Sequence, residues 1–345
     1  MDNKKTQVSG ERRAQRLLGC RGNAARCRRY LFAAAVAVWS QLAGATAWPG
    51  QSDTDLHLRA AASVLAQKAD PDSLAAAGLI ERPFDLARSQ TLIERALQAA
   101  PERPDLLWLA LQVCASAPAC DSAPLEARLL AAAPGNGAAY LNQMDRATTI
   151  GDPALVRQAL IALARADRVD TYWTTLNARL SRAVAAGTAT PLVVAMVDVV
   201  GTLAALPAPS FLILSRSCKG VTDAAEVDRC RASATVLRQG DTILLESLGE
   251  SIALRNWPDD SAEHQALQTK KIANRARDRE LGLYDALLLN PRGAEKFITL
   301  LSENRREQDV FVAWNVYAKQ SQKRAARAEK MTVRKSHRSD LLESL

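Results

Sequence analysis

The sequence predicts an all-α protein, and three observations support this fold class. One apolar pattern recurs between Leu92 and Trp173 at a step of about 33 residues, which is the length of one helix pair in a helical repeat. Proline and glycine follow the apolar segments of this region, where they end helices. Beyond the repeats, further segments with helical spacing of apolar residues are separated by turns such as Asn290–Gly293.

The three copies align without gaps. A step of 33 residues joins the positions Pro101, Pro134 and Asp167, which end the first helix of each copy. The same step joins three further sets, namely Leu97, Leu130 and Leu163; Ala100, Ala133 and Ala166; and Leu107, Tyr140 and Trp173. Each copy therefore predicts an Ala-rich helix, a short turn and a second helix that begins with large apolar residues.

Part of this stretch resembles the tetratricopeptide repeat family. ALQAAP at Ala96–Pro101, followed by DLLWLA at Asp105–Ala110, is similar to a helix B, its proline and the next helix A. The later copies depart from the family pattern, since Gln143 stands where the family favours Gly or Ala and the third copy lacks the proline. The resemblance implies an α-solenoid over residues 84–207 that binds a protein or peptide in a concave groove. An ordinary Ala-rich helical bundle is the alternative.

Four aromatic residues of the repeats are the candidate binding residues. Trp108, Tyr140, Tyr172 and Trp173 lie at or next to the start of a second helix in their copies. We expect them to pack between repeats. If some of them line the concave face, they are candidate anchors for a bound peptide, because aromatic side chains often dominate binding energy.

The N-terminus predicts export. Residues 1–29 carry nine Lys or Arg and two acidic residues, and an apolar run follows at Tyr30–Leu42. Ala45-Thr46-Ala47 is a small-x-small cleavage site, so residues 1–47 read as a signal peptide and the protein as periplasmic or secreted. An uncleaved anchor that holds the chain at the inner membrane through residues 30–47 is the alternative. Arg28-Arg29 leaves both Sec and twin-arginine export open.

The net charge of +8 comes mostly from this segment. Removing it leaves 36 basic and 35 acidic residues of the original 45 and 37, so we expect no nucleic-acid partner for the body of the protein. A basic tail remains in residues 319–345, with eight Lys or Arg and one Glu between Lys319 and Arg338. It could touch anionic lipid, nucleic acid or an acidic partner, or it could be a solvated helix.

Four cysteines remain after the signal peptide, and an even number in an exported chain indicates disulfides. Three pairings are possible, and proximity in sequence favours Cys114–Cys120 and Cys218–Cys230. A redox couple or a metal site is the alternative. No Cys-x-x-Cys is present and no histidine adjoins a cysteine, so we expect no metal.

Two N-terminal helices are predicted within residues 48–83, over Leu56–Lys68 and Ser73–Ile80. Within the repeats, Gly151-Asp152-Pro153 predicts a break and a restart, with Asp152 as N-cap. The apolar run Leu192–Leu206 is too short to span a membrane comfortably and contains Asp198. It predicts a buried helix, with a strand as the alternative.

A C-terminal helical region is predicted over residues 208–318, and we expect it to pack on the repeats or to close their end. Asp241–Arg255 reads as one of its helices, with Asp241 as N-cap. Its expected apolar stripe consists of Ile243, Leu244, Leu248 and Ile252.

Catalytic signatures are scarce. The chain has three histidines in unrelated contexts and lacks the zinc-hydrolase, nucleophile-elbow, P-loop and dinucleotide motifs. Asp241, Glu246 and Glu250 are spaced for acid–base chemistry, but such spacing is common on solvated helix faces. We therefore expect an exported, non-catalytic scaffold without a cofactor that binds an envelope protein or peptide. The alternatives are an enzyme with carboxylates in a helical cleft and a passive structural envelope protein.

Overall fold

A computed structural model describes residues 51–117, 120–207, 211–281 and 285–343. These residues fold into helices and turns, and the β contact among them is an isolated bridge between Asn136 and Arg168. The all-α prediction is confirmed. The predicted signal peptide, residues 1–47, lies outside the described residues.

The helices of the described chain follow one another with short connections. The first half contains α1 (Gln51–Leu65), α2 (Pro71–Glu81), α3 (Leu86–Ala99), α4 (Pro104–Ala115), α5 (Ala123–Ala132), α6 (Ala138–Thr149), α7 (Pro153–Ala164) and α8 (Trp173–Thr188). The second half contains α9 (Leu192–Ala204), α10 (Phe211–Ser217), α11 (Ala224–Arg238), α12 (Ile243–Asn256), α13 (Ala262–Leu281), α14 (Asp285–Leu288), α15 (Pro291–Glu303) and α16 (Glu307–Glu343).

Aspartate caps explain where several helices begin. The side chain of Asp152 accepts a hydrogen bond of 3.0 Å from the Leu155 amide, so the predicted cap of α7 is confirmed. Asp70 and Asp85 cap α2 and α3 in the same way, at 2.8 and 2.9 Å. Each cap satisfies an amide that has no partner inside its helix.

The first two copies of the repeat have the same local geometry. The C-cap residues of α3 and α5 are Ala100 and Ala133, whose φ and ψ angles are −147° and 73°, and −144° and 69°. The third copy differs, because α7 ends at Arg165 with φ −102° and ψ −4°. The missing proline of the third copy thus coincides with a different helix end.

Most helices that are consecutive in the chain pack on each other, and α8 also contacts helices far away in sequence. Helix α8 packs against α2, α9 and α15. The C-terminal helices lie on the preceding ones, since α11 packs on α7 and α15 packs on α8 and α9. The boundaries placed at residues 83, 207 and 318 stay predictions. Helix α9 is an α-helix with Ala195 and Val199 buried, so the strand alternative for this run is wrong.

For α12, the expected N-cap is wrong, and the expected apolar stripe is wrong at one of its four residues, Leu244. Its N-cap is Thr242, whose hydroxyl accepts a hydrogen bond of 3.2 Å from the Leu245 amide, and Asp241 has another role. Leu244 is 58% exposed, whereas Leu245 and Ile252 are buried. The buried face of α12 is selected by packing against α11 and α13, which periodicity over a short segment does not reveal.

The predicted cysteine pairs are confirmed. Cys114–Cys120 and Cys218–Cys230 are disulfides, with Cα–Cα distances of 5.4 and 5.6 Å. Two disulfides indicate an oxidising compartment, either periplasmic or extracellular. Over the part of the chain that the structure describes, no helix has the length and apolarity needed to cross a membrane.

Candidate functional site

The four candidate aromatic residues all belong to the packing between helices. Trp108 and Tyr172 are buried, with 5% and 8% of their surface exposed. Tyr140 and Trp173 are half-buried and pack against the same core. None of the four lines the groove between α3, α4 and α5 or the groove between α6, α7, α10 and α11. Contact between these residues and a bound peptide stays a prediction.

Asn136 joins the turn of the second repeat to that of the third. Its side-chain amide group donates hydrogen bonds to the Asp170 carbonyl at 2.8 Å and to the Tyr172 hydroxyl at 3.0 Å. Its side-chain oxygen accepts from the amides of Asp170 and Ala138, at 2.8 and 3.1 Å. Asn136 is fully buried, so all four bonds are protected from water. This residue fixes the spacing of two successive repeats.

Tyr172 has the left-handed backbone conformation, with φ 57°, which residues other than glycine rarely adopt. Burial, more than any other cause, raises the pKa of its phenol to about 12. The hydroxyl therefore stays neutral and serves as a partner for Asn136. The position of Tyr172 at the repeat junction is thus structural.

Asp241 continues the contact between turns and caps a distant helix. Its backbone amide donates to the Val169 carbonyl at 3.1 Å. Its side-chain carboxyl group accepts from the Trp173 amide at 3.0 Å and from the Thr171 hydroxyl at 2.9 Å. Asp241 thus caps the N-terminus of α8. Its complete burial, followed by the nearby charge of Asp170, raises its pKa to about 8.

Glu307 has the matching role for α12. Its backbone amide donates to the Asp241 carbonyl at 2.7 Å, and its carboxylate accepts from the Ile243 amide at 2.8 Å. Asp241 and Glu307 therefore each cap a helix that begins more than 60 residues earlier in the chain.

The expected solvated face with Glu246 and Glu250 is wrong, because both side chains are buried, with 3% and 4% of their surface exposed. Helix α13 covers them and brings Lys270 within 3.1 Å of Glu246 and the Asn274 amide within 2.7 Å of Glu250. Burial and then the Glu246 charge raise the pKa of Glu250. These carboxylates are engaged by donors of the chain itself, which gives them a role in holding α12 and α13 together.

The first of two grooves lies between α3, α4 and α5 and beside the first disulfide. We call it the α3–α5 groove, and its volume is about 470 Å³. Its lining residues are Gln90, Ile93, Glu94, Leu97, Gln98, Pro101, Ala110, Val113, Cys114, Cys120, Asp121, Leu125 and Arg128. The apolar members are mostly buried and the polar ones mostly exposed, so the groove has an apolar floor and a polar rim.

The rim of the α3–α5 groove offers an acidic group with no partner in the described chain. Glu94 is exposed and forms no hydrogen bond or ion pair with any described residue. Arg128, by contrast, donates to the Pro101 carbonyl at 3.0 Å, and Asp121 accepts from the Ala123 amide at 3.0 Å. A ligand with an apolar side chain and an adjacent cation would fit both the floor and Glu94.

The second groove, of about 530 Å³, lies between α6, α7, α10 and α11. Arg157 and Glu226 line it and form an ion pair of 2.6 Å. Arg229 also pairs with Glu226, and hydrogen bonds from Arg229 and then Arg157 lower the pKa of this carboxylate. Because Arg157 and Glu226, the two charged residues of the ion pair that lines this groove, are engaged with each other, the second groove offers less to a charged ligand than the first.

Within the described residues, no group of three or more His, Cys, Asp or Glu is arranged to hold a metal ion. Comparisons with family models, curated proteins and solved structures found no match to this chain. We therefore infer the function from the sequence and geometry of this chain alone.

Sequence reasoning did not single out the residues of the α3–α5 groove. Ile93 and Leu97 are spaced four residues apart on one face of α3, which is equally typical of core positions. Whether such a pair meets another helix or borders a groove depends on the path of the loop that follows α4. The local cysteine pair Cys114 and Cys120 was the available signal for that loop.

Proposed function

We propose that this protein is an exported, tetratricopeptide-like scaffold that binds a segment of another protein in the α3–α5 groove, without catalysis. The apolar floor of this groove, next to the unpaired carboxylate of Glu94, carries the proposal. Apolar clefts with a few well-placed polar groups are the usual form of binding sites.

The repeat geometry supports the tetratricopeptide-like part of the proposal. Helices α3 and α5 end with nearly the same backbone angles at Ala100 and Ala133, each one residue before a proline. Repeats of this kind commonly present grooves between successive helices to peptides, and an amphipathic helix in such a groove is anchored by apolar side chains.

Two observations support export. The disulfides Cys114–Cys120 and Cys218–Cys230 need an oxidising compartment to form and persist. The sequence of residues 1–47 has the basic, apolar and small-residue order of a signal peptide. The partner is then expected in the cell envelope or outside the cell.

The ligand chemistry follows from the lining. Ile93, Leu97, Val113 and Leu125 favour one or two large apolar side chains, and Glu94 favours a neighbouring Lys or Arg. The ion pair would be exposed, so it would contribute mostly to selectivity and about 1 kcal/mol or less to affinity.

A displayed library of random peptides, selected on the oxidised protein, tests this proposal. We expect the enriched peptides to combine large apolar residues with an adjacent cation. Selection repeated on Glu94→Lys should lose the preference for the cation, whereas selection on Glu102→Lys should keep it. Glu102 is exposed, lies outside the groove and changes the net charge equally, which makes it a matched control. Failure to enrich any sequence would count against the proposal.

A further inference from the structure

The C-terminal helix α16 is much longer than the part of it that packs on the body. It contains 37 residues, Glu307–Glu343, and therefore extends roughly 55 Å at 1.5 Å per residue. Its first turns are anchored by Val310, Trp314 and Ala318, which are buried against α15. From Lys319 to Arg327, the described side chains are almost all exposed.

Six of the eight basic residues between Lys319 and Arg338 fall on one side of the helix. At 3.6 residues per turn, these six lie within an arc of about 100°. This basic stripe consists of Lys319, Lys323, Arg327, Lys330, Arg334 and Arg338. Glu329, the acidic residue of the same segment, has a register position outside this arc, about 130° from its centre.

The register also sets the direction of the basic stripe. The stripe lies about 170° around the helix axis from the centre of the buried face formed by Val310, Trp314 and Ala318. The described side chains of the stripe, Lys319, Lys323 and Arg327, are exposed on the side of α16 away from α15. Val312 and Val316 precede the stripe on the same outward face, and they are 53% and 52% exposed.

The basic stripe is costly for an isolated helix. Like charges four residues apart, such as Lys323 and Arg327, destabilise a helix by repulsion. Neither of these two residues forms an ion pair with a described residue, so the repulsion between them is not offset by a carboxylate of the described chain. An external anionic surface would relieve it.

We propose that the basic stripe docks this protein on an anionic lipid bilayer, with α16 lying along the membrane surface. The stripe is straight and roughly 30 Å long, which matches a planar array of headgroups. The exposed Val312 and Val316 can enter the interface beside it. The stripe has no aromatic residue for stacking on bases, and the disulfides indicate a periplasmic or extracellular compartment rather than the cytoplasm, which holds the nucleic acid of the cell.

Vesicle co-sedimentation of the protein isolated from its host tests this inference. The probes are phosphatidylcholine vesicles with and without phosphatidylglycerol. At about 0.1 M salt, where charges are only partly screened, we expect binding to the phosphatidylglycerol vesicles alone. At about 1 M salt we expect release, because the Debye length falls to about 3 Å.

Two variants that lose the same number of positive charges distinguish binding through the basic stripe from binding through the net charge of the protein. The stripe variant carries Lys323→Gln, Arg327→Gln, Lys330→Gln and Arg334→Gln. The control variant carries Lys68→Gln, Arg165→Gln, Lys219→Gln and Arg292→Gln, at four exposed positions of the body. We expect the stripe variant to lose affinity by a factor of about 600, because each of its four cations strengthens binding to an anionic bilayer about fivefold. The control variant should lose affinity by much less.

Three results would overturn the inference. The first is failure of the unmodified protein to bind phosphatidylglycerol vesicles. The second is equal loss of affinity in the two variants, which would assign binding to net charge. The third is displacement of the protein from the vesicles by a single-stranded oligonucleotide or by polyglutamate at a concentration of negative charges below that of the anionic lipid. This result would identify nucleic acid or an acidic protein as the better ligand.

Discussion

Asp241 accepts a hydrogen bond of 3.0 Å from the backbone amide of Trp173, 68 residues earlier in the chain. This bond caps α8 with a side-chain carboxyl group from the turn before α12. Helix α8 in turn contacts α2, α9 and α15, so the cap supports the helix on which three others pack.

The raised pKa of Asp241 predicts stability that falls as pH rises. In the folded protein its pKa is about 8, against an ordinary value of 3.8, so the folded state holds the proton more tightly. The contribution is complete below about pH 4 and is lost as pH rises towards about 8, with a slope of at most about 1.4 kcal/mol per pH unit. Urea unfolding at several pH values, with Asp241→Asn alongside, measures this slope.

Asp241→Asn should flatten that pH dependence, because asparagine has no proton to lose in this range and its carbonyl oxygen still accepts from the Trp173 amide. At pH 7 we expect the variant to be at least as stable as the original protein. Asp241→Ala should instead lose about 2 kcal/mol, since it leaves buried donors unpaired. An unchanged slope in Asp241→Asn would show that Asp241 does not titrate as described.

Asn136→Ala should destabilise the repeats by about 2–4 kcal/mol, because it leaves the buried amides of Asp170 and Ala138 without their acceptor. Asn142→Ala is the matched control, since Asn142 is also buried but its side-chain nitrogen has no partner among the described residues. We expect a clearly smaller loss there. Chemical denaturation of both variants measures the difference, and equal losses would contradict the role of Asn136.

Trp314→Ala should release α16 from the body. Trp314 is 2% exposed and meets Phe297 edge-on, with ring centroids 5.3 Å apart. Removing a buried Trp typically costs about 3–5 kcal/mol, and here we expect faster hydrogen exchange confined to α15 and α16. Val312→Ala is the control, because Val312 is exposed. Unchanged exchange in Trp314→Ala would show that the anchor lies elsewhere.

The intact mass of the protein from its native host tests export. We expect loss of residues 1–47 and a gain of about 4 Da on reduction, two for each disulfide. A full-length mass with free thiols would contradict export and return nucleic acid to the list of partners. A full-length mass with both disulfides would instead favour the uncleaved anchor.

The sequence was sufficient where the cause is local. The cap at Asp152, the helix ends before Pro101 and Pro134, and the pairing of nearby cysteines each depend on a few consecutive residues. The period of 33 residues adds the order of helices, because each copy repeats the same local signals.

Long-range contacts account for the errors. Asp241 precedes an apolar run and resembles a local cap, but its carboxylate reaches Trp173, which no spacing within α12 could indicate. The spacing of Glu246 and Glu250 within α12 predicts a solvated face, but α13 packs over these residues and buries them. The α3–α5 groove was missed for the same reason, since it exists only where three helices and the disulfide loop meet.

Calorimetric titration of a library-selected peptide into the oxidised protein tests the central claim most directly. We expect saturable binding that Glu94→Lys weakens by about 1 kcal/mol or less through the lost ion pair and new repulsion, while Glu102→Lys leaves it unchanged. Replacing the large apolar residue of the peptide by Ala should abolish most of the affinity. A peptide site in the α3–α5 groove would be contradicted if the two protein variants bound the peptide equally well and if the Ala-substituted peptide bound as tightly as the original one.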